Sequence, residues 1–355
     1  MRLSVKFPGV EPGVVLLLGL LISVASPLWA KHKDDVVVLK NGDRITGEIK
    51  SLQNAILYIK PAYVVDTFGI NWADIERVES QDRYTWVFTD GRRYTGTISK
   101  TKATEETHDF VISEAGRSVS VPQKEMVTVR PVEDGFWKQL TGSIDFGFNY
   151  TQGANNTQST LSASTDYRQE RYTFHVDGSS VFSGQSNGNS TARYTFNTNY
   201  NRYFSRNWYA GTVANFLRSD QQELDFRATA GGGIGHDFLR TNRTNLSGIG
   251  GAVFTRERYA PAPGQEPHSS NAEALLGMNF YTYRFKLAEI NSQVSIYPSL
   301  SNLGRLRLGT QSSISFQIIS NLYWKFSAYE NFDSKPPINA PKNDVGLSTS
   351  LGWKF

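Results

Sequence analysis

From residue 136 to the C terminus, apolar and polar side chains alternate with a period of two. In one stretch Tyr194, Phe196, Thr198, Tyr200 and Phe204 take one face, and Arg193, Thr195, Asn197, Asn199 and Asn201 take the other. A strand sends successive side chains to opposite faces, so such a segment has one apolar and one polar side. The same holds at both ends of the region. Ile144, Phe146, Phe148 and Tyr150 alternate with Ser143, Asp145, Gly147 and Asn149; Val345, Leu347, Thr349, Leu351, Trp353 and Phe355 alternate with Gly346, Ser348, Ser350, Gly352 and Lys354. Turn signals divide the region into twelve strands, at roughly 139–151, 157–168, 171–184, 190–204, 207–219, 225–239, 244–258, 270–284, 286–298, 304–319, 321–333 and 343–355. Soluble strands run to about five or six residues. These are of the length that crosses a bilayer at a tilt, about ten residues with extensions.

The connections alternate in length. Short ones fall at 168–171, 205–206, 239–243, 284–286 and 320–321, and longer ones at 151–157, 184–189, 218–224, 259–269, 298–303 and 334–342. Short turns on one side and longer loops on the other mark an antiparallel transmembrane barrel, and an even strand count returns both ends to the short-turn side. Aromatic residues cluster near strand ends, as at Phe136-Trp137, Trp208-Tyr209, Tyr323-Trp324 and Trp353, which suits interfacial girdles. A soluble sandwich or solenoid would share the period but pack its apolar faces together. The mean hydropathy of −0.40 excludes a helical membrane protein but not a barrel, whose two faces average out.

Charge is costly on a lipid-facing surface. Asp145, Asp166, His175, Asp177, Arg193, Arg227, Asp237, Glu273, Glu289, Arg305, Arg307 and Lys325 lie opposite the apolar faces. They are therefore expected to line the lumen, as a plugging network or as a narrow polar path for small solutes.

The N-terminal third reads differently. Arg2 and Lys6, an apolar run from Val14 to Ile22, and Ser23, Ala25, Ser26, Pro27 and Ala30 form the parts of a secretory signal peptide over 1–30. A repeat follows, with modules at 34–80 and 82–133 in a domain spanning 31–133. Leu39-Lys-Asn-Gly-Asp-Arg-Ile-Thr-Gly-Glu-Ile49 recurs as Phe88-Thr-Asp-Gly-Arg-Arg-Tyr-Thr-Gly-Thr-Ile98, 49 residues further on. Asn41-Gly42 and Asp90-Gly91 are tight-hairpin signals of the type I′ kind. Strand-like runs cover 36–39, 45–49, 55–59, 85–88, 94–98 and 110–112. The pattern of leucine, lysine, a spaced glycine and a second glycine resembles the first half of an SH3-like or Sm-like small barrel. Export and the lack of an aromatic-plus-basic stacking set argue against RNA as its partner. The domain is expected in the periplasm, to bind another envelope component.

Phe136-Trp137, Thr141-Gly142, Thr151-Gln-Gly153-Ala-Asn-Asn156-Thr157, Tyr167-Arg168 and the closing Leu351-Gly-Trp-Lys-Phe355 resemble, as a set, the salt-induced outer-membrane protein family, domain of unknown function family 481. Ala154 and Asn155 interrupt that family's glycine–asparagine contact. The resemblance covers about residues 136–355. It implies a Gram-negative outer-membrane barrel and brings no activity and no catalytic residue. Leu351, Trp353 and Phe355 look like the terminal signal read by the barrel-assembly machinery.

Chemistry is sparse. The chain has no Cys, which excludes a disulfide scaffold, a thiol nucleophile and a lipidated cysteine. Ser186-Asn187-Gly188 is similar to part of the outer-membrane phospholipase pattern, but Gly184 stands where the histidine base belongs, so the serine is unactivated. The five histidines, 32, 108, 175, 236 and 268, show no metal-ligand spacing. Gly231-Gly-Gly-Ile-Gly235 lacks the lysine of a phosphate loop and reads as strand. The net charge of +4 is too diffuse to imply nucleic acid. The expectation is a non-enzymatic, all-β outer-membrane barrel with no cofactor or metal, contacting lipid and an envelope partner. A small-solute channel is the alternative, and a lipid-modifying enzyme a weaker one.

Overall fold

The computed structural model describes residues 35–355 except 105–106, 115, 133–135, 137–138, 152–155, 170, 186–189, 206, 265, 286–287 and 320. The expected leader, Trp137 and the Ser186-Asn187-Gly188 triplet lie outside the described residues.

Nine strands form the N-terminal sheet: β1 (Asp35–Leu39), β2 (Arg44–Gln53), β3 (Ile56–Lys60), β4 (Phe68–Asn71), β5 (Ile75–Phe88), β6 (Arg93–Thr104), β7 (Thr107–Glu114), β8 (Arg117–Pro122) and β9 (Met126–Pro131). Their order is β4-β3-β2-β1-β5-β6-β7-β8, with β9 pairing β2 and β5. The repeat is visible in the chain path. Each copy is a hairpin, two further strands, a 3-10 turn (Trp72–Asp74 or Gln123–Glu125) and a closing strand. The closing strand of the first copy and the opening strand of the second are one strand. β5 pairs β1 through Ile75–Glu79, β6 from Ser80 onward and β9 from Tyr84 onward.

The hairpins stand where the glycine signals put them, but the turns are of another type. Gly42 and Gly91 have φ of +91° and +82°, whereas Asn41 and Asp90 are not in the positive-φ region. Gly42 N–H bonds to Leu39 O and Leu39 N–H to Asp43 O, both at 2.9 Å; Gly91 and Phe88 repeat the arrangement. This is a type I turn followed by a left-handed glycine. The Asn41 and Asp90 side chains select it by accepting from the backbone N–H two residues on, at 3.1 and 3.0 Å. Two successive positive φ values occur instead at Asn54 and Ala55, which join β2 to β3, so Ala55 belongs to a turn rather than to a strand.

The core of this sheet is apolar. Val37, Ile49, Leu52, Leu57, Ile59, Trp86, Phe88, Phe110 and Val129 are all buried. The two 3-10 turns clasp each other: Trp72 Nε1 donates to Gln123 O at 3.0 Å, and Gln123 Nε2 donates to Trp72 O at 2.6 Å. Asp35 is the acid buried in this core. It accepts from Ile49 N–H at 2.8 Å, from Tyr84 Oη at 2.6 Å and from Ser80 Oγ. Burial pushes its carboxyl above the usual range despite these donors, and pushes the Tyr84 hydroxyl up as well.

Twelve further strands close into a barrel: β10 (Leu140–Thr151), β11 (Asn156–Arg168), β12 (Tyr172–Gln185), β13 (Thr191–Ser205), β14 (Trp208–Ser219), β15 (Leu224–Arg240), β16 (Thr244–Tyr259), β17 (His268–Phe285), β18 (Ala288–Pro298), β19 (Leu306–Gln317), β20 (Leu322–Asp333) and β21 (Asn343–Lys354). Each expected boundary falls within two residues of these. All neighbours are antiparallel, and β10 meets β21.

The alternation is inside-out. Ile144, Phe146, Phe148, Phe196, Phe216, Phe254, Leu276, Phe326 and Leu347 are exposed, while Asp145, Arg227, Glu257, Glu273, Arg305 and Asp333 are buried. Small residues keep the wall closed. Tyr209 lies opposite Gly235, Tyr329 opposite Gly346 and Tyr323 opposite Gly352, and a Cβ on any of these glycines would overlap the facing ring.

The N-terminal sheet lies against the short-turn rim of the barrel. Asn207 Nδ2 donates to Thr89 O at 3.0 Å, Arg93 Nη1 to Gln169 O at 3.4 Å and Tyr281 Oη to Asn54 Oδ1 at 3.0 Å. The Arg93 guanidinium also stacks on Tyr203, 4.3 Å from the ring centre.

Candidate functional site

The lumen collects most of the buried charged side chains among the described residues, and register explains how. Along the strands the residues of one parity face inward, so Arg227 of β15 lies beside Glu257 of β16, and Thr229 beside Thr255. Near the long-loop end these side chains meet others from across the barrel. Arg305, in the connection just before β19, donates Nη1 to Glu257 Oε2 at 2.7 Å and Nε to Asp333 Oδ1 at 3.1 Å. Arg227 Nε reaches Glu257 Oε1 at 2.6 Å, and its Nη2 reaches Asp333 Oδ2 at 3.4 Å. Arg307 Nε donates to Glu273 Oε1 at 2.8 Å and Nη2 to Thr255 Oγ1 at 3.0 Å. Tyr259 Oη donates to Glu257 at 2.7 Å. Three arginines thus face three carboxylates, and Glu257 and Glu273 are fully buried.

A second group sits at the same end. Arg193 of β13 donates Nη1 to Asp344 of β21 at 2.7 Å, and its guanidinium lies 4.4 Å from the Tyr329 ring centre. Ser219 and Tyr329 also donate to Asp344, at 3.3 and 3.4 Å. Some of these contacts join neighbouring strands, as Arg227–Glu257 and Tyr329–Asp344 do, and others reach further. β13 to β21, β15 to β20 and β16 to the start of β19 are chords across the lumen.

The short-turn half is braced differently. Asp145 accepts from Tyr323 Oη at 2.6 Å and from Lys325 Nζ at 3.3 Å. His175 sits between Asp166, 3.1 Å from Nδ1, and Asp177, 3.3 Å from Nε2; Asp177 also accepts from Asn197 at 2.8 Å. Glu289 is inward by register but pairs with Lys354 at 2.7 Å, apart from the arginine network. Asp237 pairs with Arg240. Between the two ends Asn279, Asn291 and Gln293, inward by the same register, remain exposed.

The inward residues read from alternation therefore stand inside the barrel: Asp145, Asp166, His175, Asp177, Arg193, Arg227, Glu273, Arg305 and Arg307 in networks, and Glu289 toward the rim. Sequence reasoning missed Glu257, Asp333 and Asp344. The first lies in Arg256-Glu257-Arg258, where charges occupy both faces because the outward arginines have already passed the apolar belt. The other two lie at strand ends, where period gives no vote. Gly231–Gly235 is strand, with Gly231 and Gly233 pressed against the backbone of β16. Among the described residues, no three of His, Asp or Glu are arranged to hold a metal ion.

The family described as protein of unknown function, DUF481, matches residues 144–355. The chain belongs to the DUF481 family. No curated protein matches it in sequence. Solved structures of similar shape include the translocator domain of autotransporter NalP from Neisseria meningitidis (12% identity, 61% of this chain and 86% of that one, TM-score 0.31). An outer membrane channel from Pseudomonas putida F1 gives 8%, 61%, 94% and 0.34. The beta domain of the Bordetella autotransporter BrkA gives 10%, 61%, 98% and 0.31. At these scores none of them lends its activity or location to this DUF481 chain.

Proposed function

We propose that this DUF481 protein is an outer-membrane barrel that rests closed, with its N-terminal domain in the periplasm as the part that meets an envelope partner. One observation carries the reading: the barrel is inside-out, with exposed aromatic and aliphatic side chains around it and ion pairs spanning its interior. Only a lipid surround makes that polarity favourable, since outward charge is penalised at bilayer depth and inward charge is not. The short-turn rim then faces the periplasm, and the repeat domain, taken as two small SH3-like or Sm-like modules, sits beneath it. Leu351, Trp353 and Phe355 form the outward edge that the assembly machinery would read. No enzymatic role is inferred, because Gly184 replaces the base that a serine at 186 would need.

Heat-modifiable gel mobility of protein from outer-membrane fractions, followed by planar-bilayer recording, tests this. A heat shift with a silent bilayer is expected. A soluble protein without a shift would overturn the membrane barrel. Steady conductance of the wild type would favour the channel alternative, for which the exposed Asn279, Asn291 and Gln293 speak. On the closed reading, conductance appears only when the chords are cut, as in an Arg193→Ala and Glu257→Ala double variant.

A further inference from the structure

The wall of the barrel is not equally knitted all round. β10 pairs with β11 through twelve consecutive residues, Leu140↔Tyr167 to Thr151↔Asn156. β21 pairs with β20 through eleven, Leu322↔Trp353 to Phe332↔Asn343. Between β10 and β21 the ladder runs only from Ser143↔Lys354 to Phe146↔Leu351. Reciprocal bonds between Gly142 and Phe355 extend it by one step toward the short-turn end. The backbones stay in close approach at Gly147, where a Cβ would meet Thr349 O, and from there both strands continue toward the long loops, to Thr151 and Asn343, without ladder pairing. Open sheet edges are not tolerated against hydrocarbon, because each unpaired backbone group is costly there; they persist only where water or another molecule supplies the missing partner.

A cavity lies behind that seam. It measures about 200 Å³, and it is lined by Val345, Gly346 and Leu347 of β21, by Gln158 and Val181 on the adjoining arc, and by Arg193. Its lining changes character across its width. At the seam it is aliphatic, and outside the seam Phe146, Phe148, Val345 and Leu347 are exposed toward lipid. At the lumen side it is polar, and among the described lining residues the cation is Arg193. Asp344 is already met by Arg193, Ser219 and Tyr329. A guanidinium has five N–H groups, of which Arg193 gives one to Asp344 in this network.

We infer that the unpaired upper half of the β10–β21 seam is a lateral doorway, through which a single-chain amphiphile with an acidic head places that head against Arg193 and leaves its chain in the bilayer. The division of the cavity matches the division of such a molecule. A wholly polar solute would have no use for a doorway into lipid, and a wholly apolar one would desolvate Gln158 and the N–H groups that Arg193 does not give to Asp344. The inference rests on the membrane-barrel reading above.

The absence of cysteine makes the seam testable in the full chain. Continuing the ladder's register places Phe148 opposite Thr349, so a Phe148→Cys and Thr349→Cys pair locks the doorway on oxidation. A Ser143→Cys and Lys354→Cys pair crosslinks strands already paired and serves as control. Each protein is reconstituted in phosphatidylcholine vesicles with a diazirine-bearing palmitic acid, irradiated, and mapped by mass spectrometry. In the wild type the label is expected on the lumen residues Gln158, Val181 and Ser183 as well as on the outward belt. Oxidising the Phe148/Thr349 pair should reduce lumen labelling at least tenfold, reversibly with reductant. The oxidised control should label like wild type, and Arg193→Gln should lose at least fivefold. A photoreactive lysophosphatidic acid, run in parallel, separates a phosphate head from a carboxylate one. Lumen labelling that survives the lock, or label confined to the outward belt, would overturn the doorway. A protein that shifts on heating yet fails these tests breaks this inference alone, whereas one that does not shift breaks the barrel reading as well.

Discussion

Two regions of this chain use the same alternating strand and bury opposite faces of it. In the N-terminal sheet the apolar parity goes inward, around Trp86, Phe88, Ile59 and Val129, and one acid, Asp35, is buried among them. In the barrel the apolar parity goes outward, and the interior holds Glu257, Glu273, Arg305 and Arg307. Period two therefore fixes that a strand has two unlike faces and says nothing about which one meets solvent. What decides is closure. The N-terminal strands, from four residues in β4 to fourteen in β5, fold around an apolar core, while twelve strands of eleven to eighteen close a circle wide enough to hold its polar side chains within.

The contrast can be broken by exchanging the two interiors. The largest effect is expected from Ile59→Glu and Glu257→Leu. The first buries an unpaired carboxyl in an apolar core, and it should unfold the N-terminal sheet while leaving heat-modifiable barrel mobility intact. The second leaves Arg305 and Arg227 short of a partner, at a cost of about 3–5 kcal/mol to the barrel. Urea titration with tryptophan fluorescence in vesicles reads it, and a variant as stable as wild type would show that the network does not hold the lumen. Next comes the outer face. Phe196→Arg should cost about 2–4 kcal/mol if residue 196 lies at bilayer depth, and far less in a soluble barrel.

The smallest effect sharpens the comparison from the N-terminal side. Asp35 has a carboxyl raised by burial, so the folded domain holds its proton at pH values where the unfolded chain has lost it. Its contribution is complete below the ordinary aspartate range and fades as pH rises through the folded value. Melting the protein across mildly acidic pH should show this slope. Asp35→Asn should flatten it, changing stability at neutral pH by about 1 kcal/mol. An unchanged slope would assign the titration to another group.

Much of this was legible in the residues. The twelve strands were, because a single turn signal or polar cluster separates runs that alternate without interruption. The inward set was too, since parity carries Asp145 and Arg193 to the same side as their neighbours. Partners across the lumen were not. The Arg193–Asp344 and Arg227–Asp333 contacts depend on where the circle closes and how far each strand is staggered, which no local pattern encodes. The turn type was misread for a similar reason. Asn-Gly and Asp-Gly serve two hairpin geometries, and the choice was made by the Asn41 and Asp90 side chains capping their own loops. The seam between β10 and β21 was invisible, being a property of two strands nearly two hundred residues apart.

The shared strand β5 has a consequence for how the N-terminal domain comes apart. Its first residues complete one repeat and its last residues begin the other, and Trp72 and Gln123 tie the two closing turns together. Neither copy keeps a full set of strands if the chain is cut between them. The duplication in sequence is thus not a duplication of folding units. Both halves gain and lose structure in one step, like a hinge pin that cannot be drawn from one leaf without freeing the other.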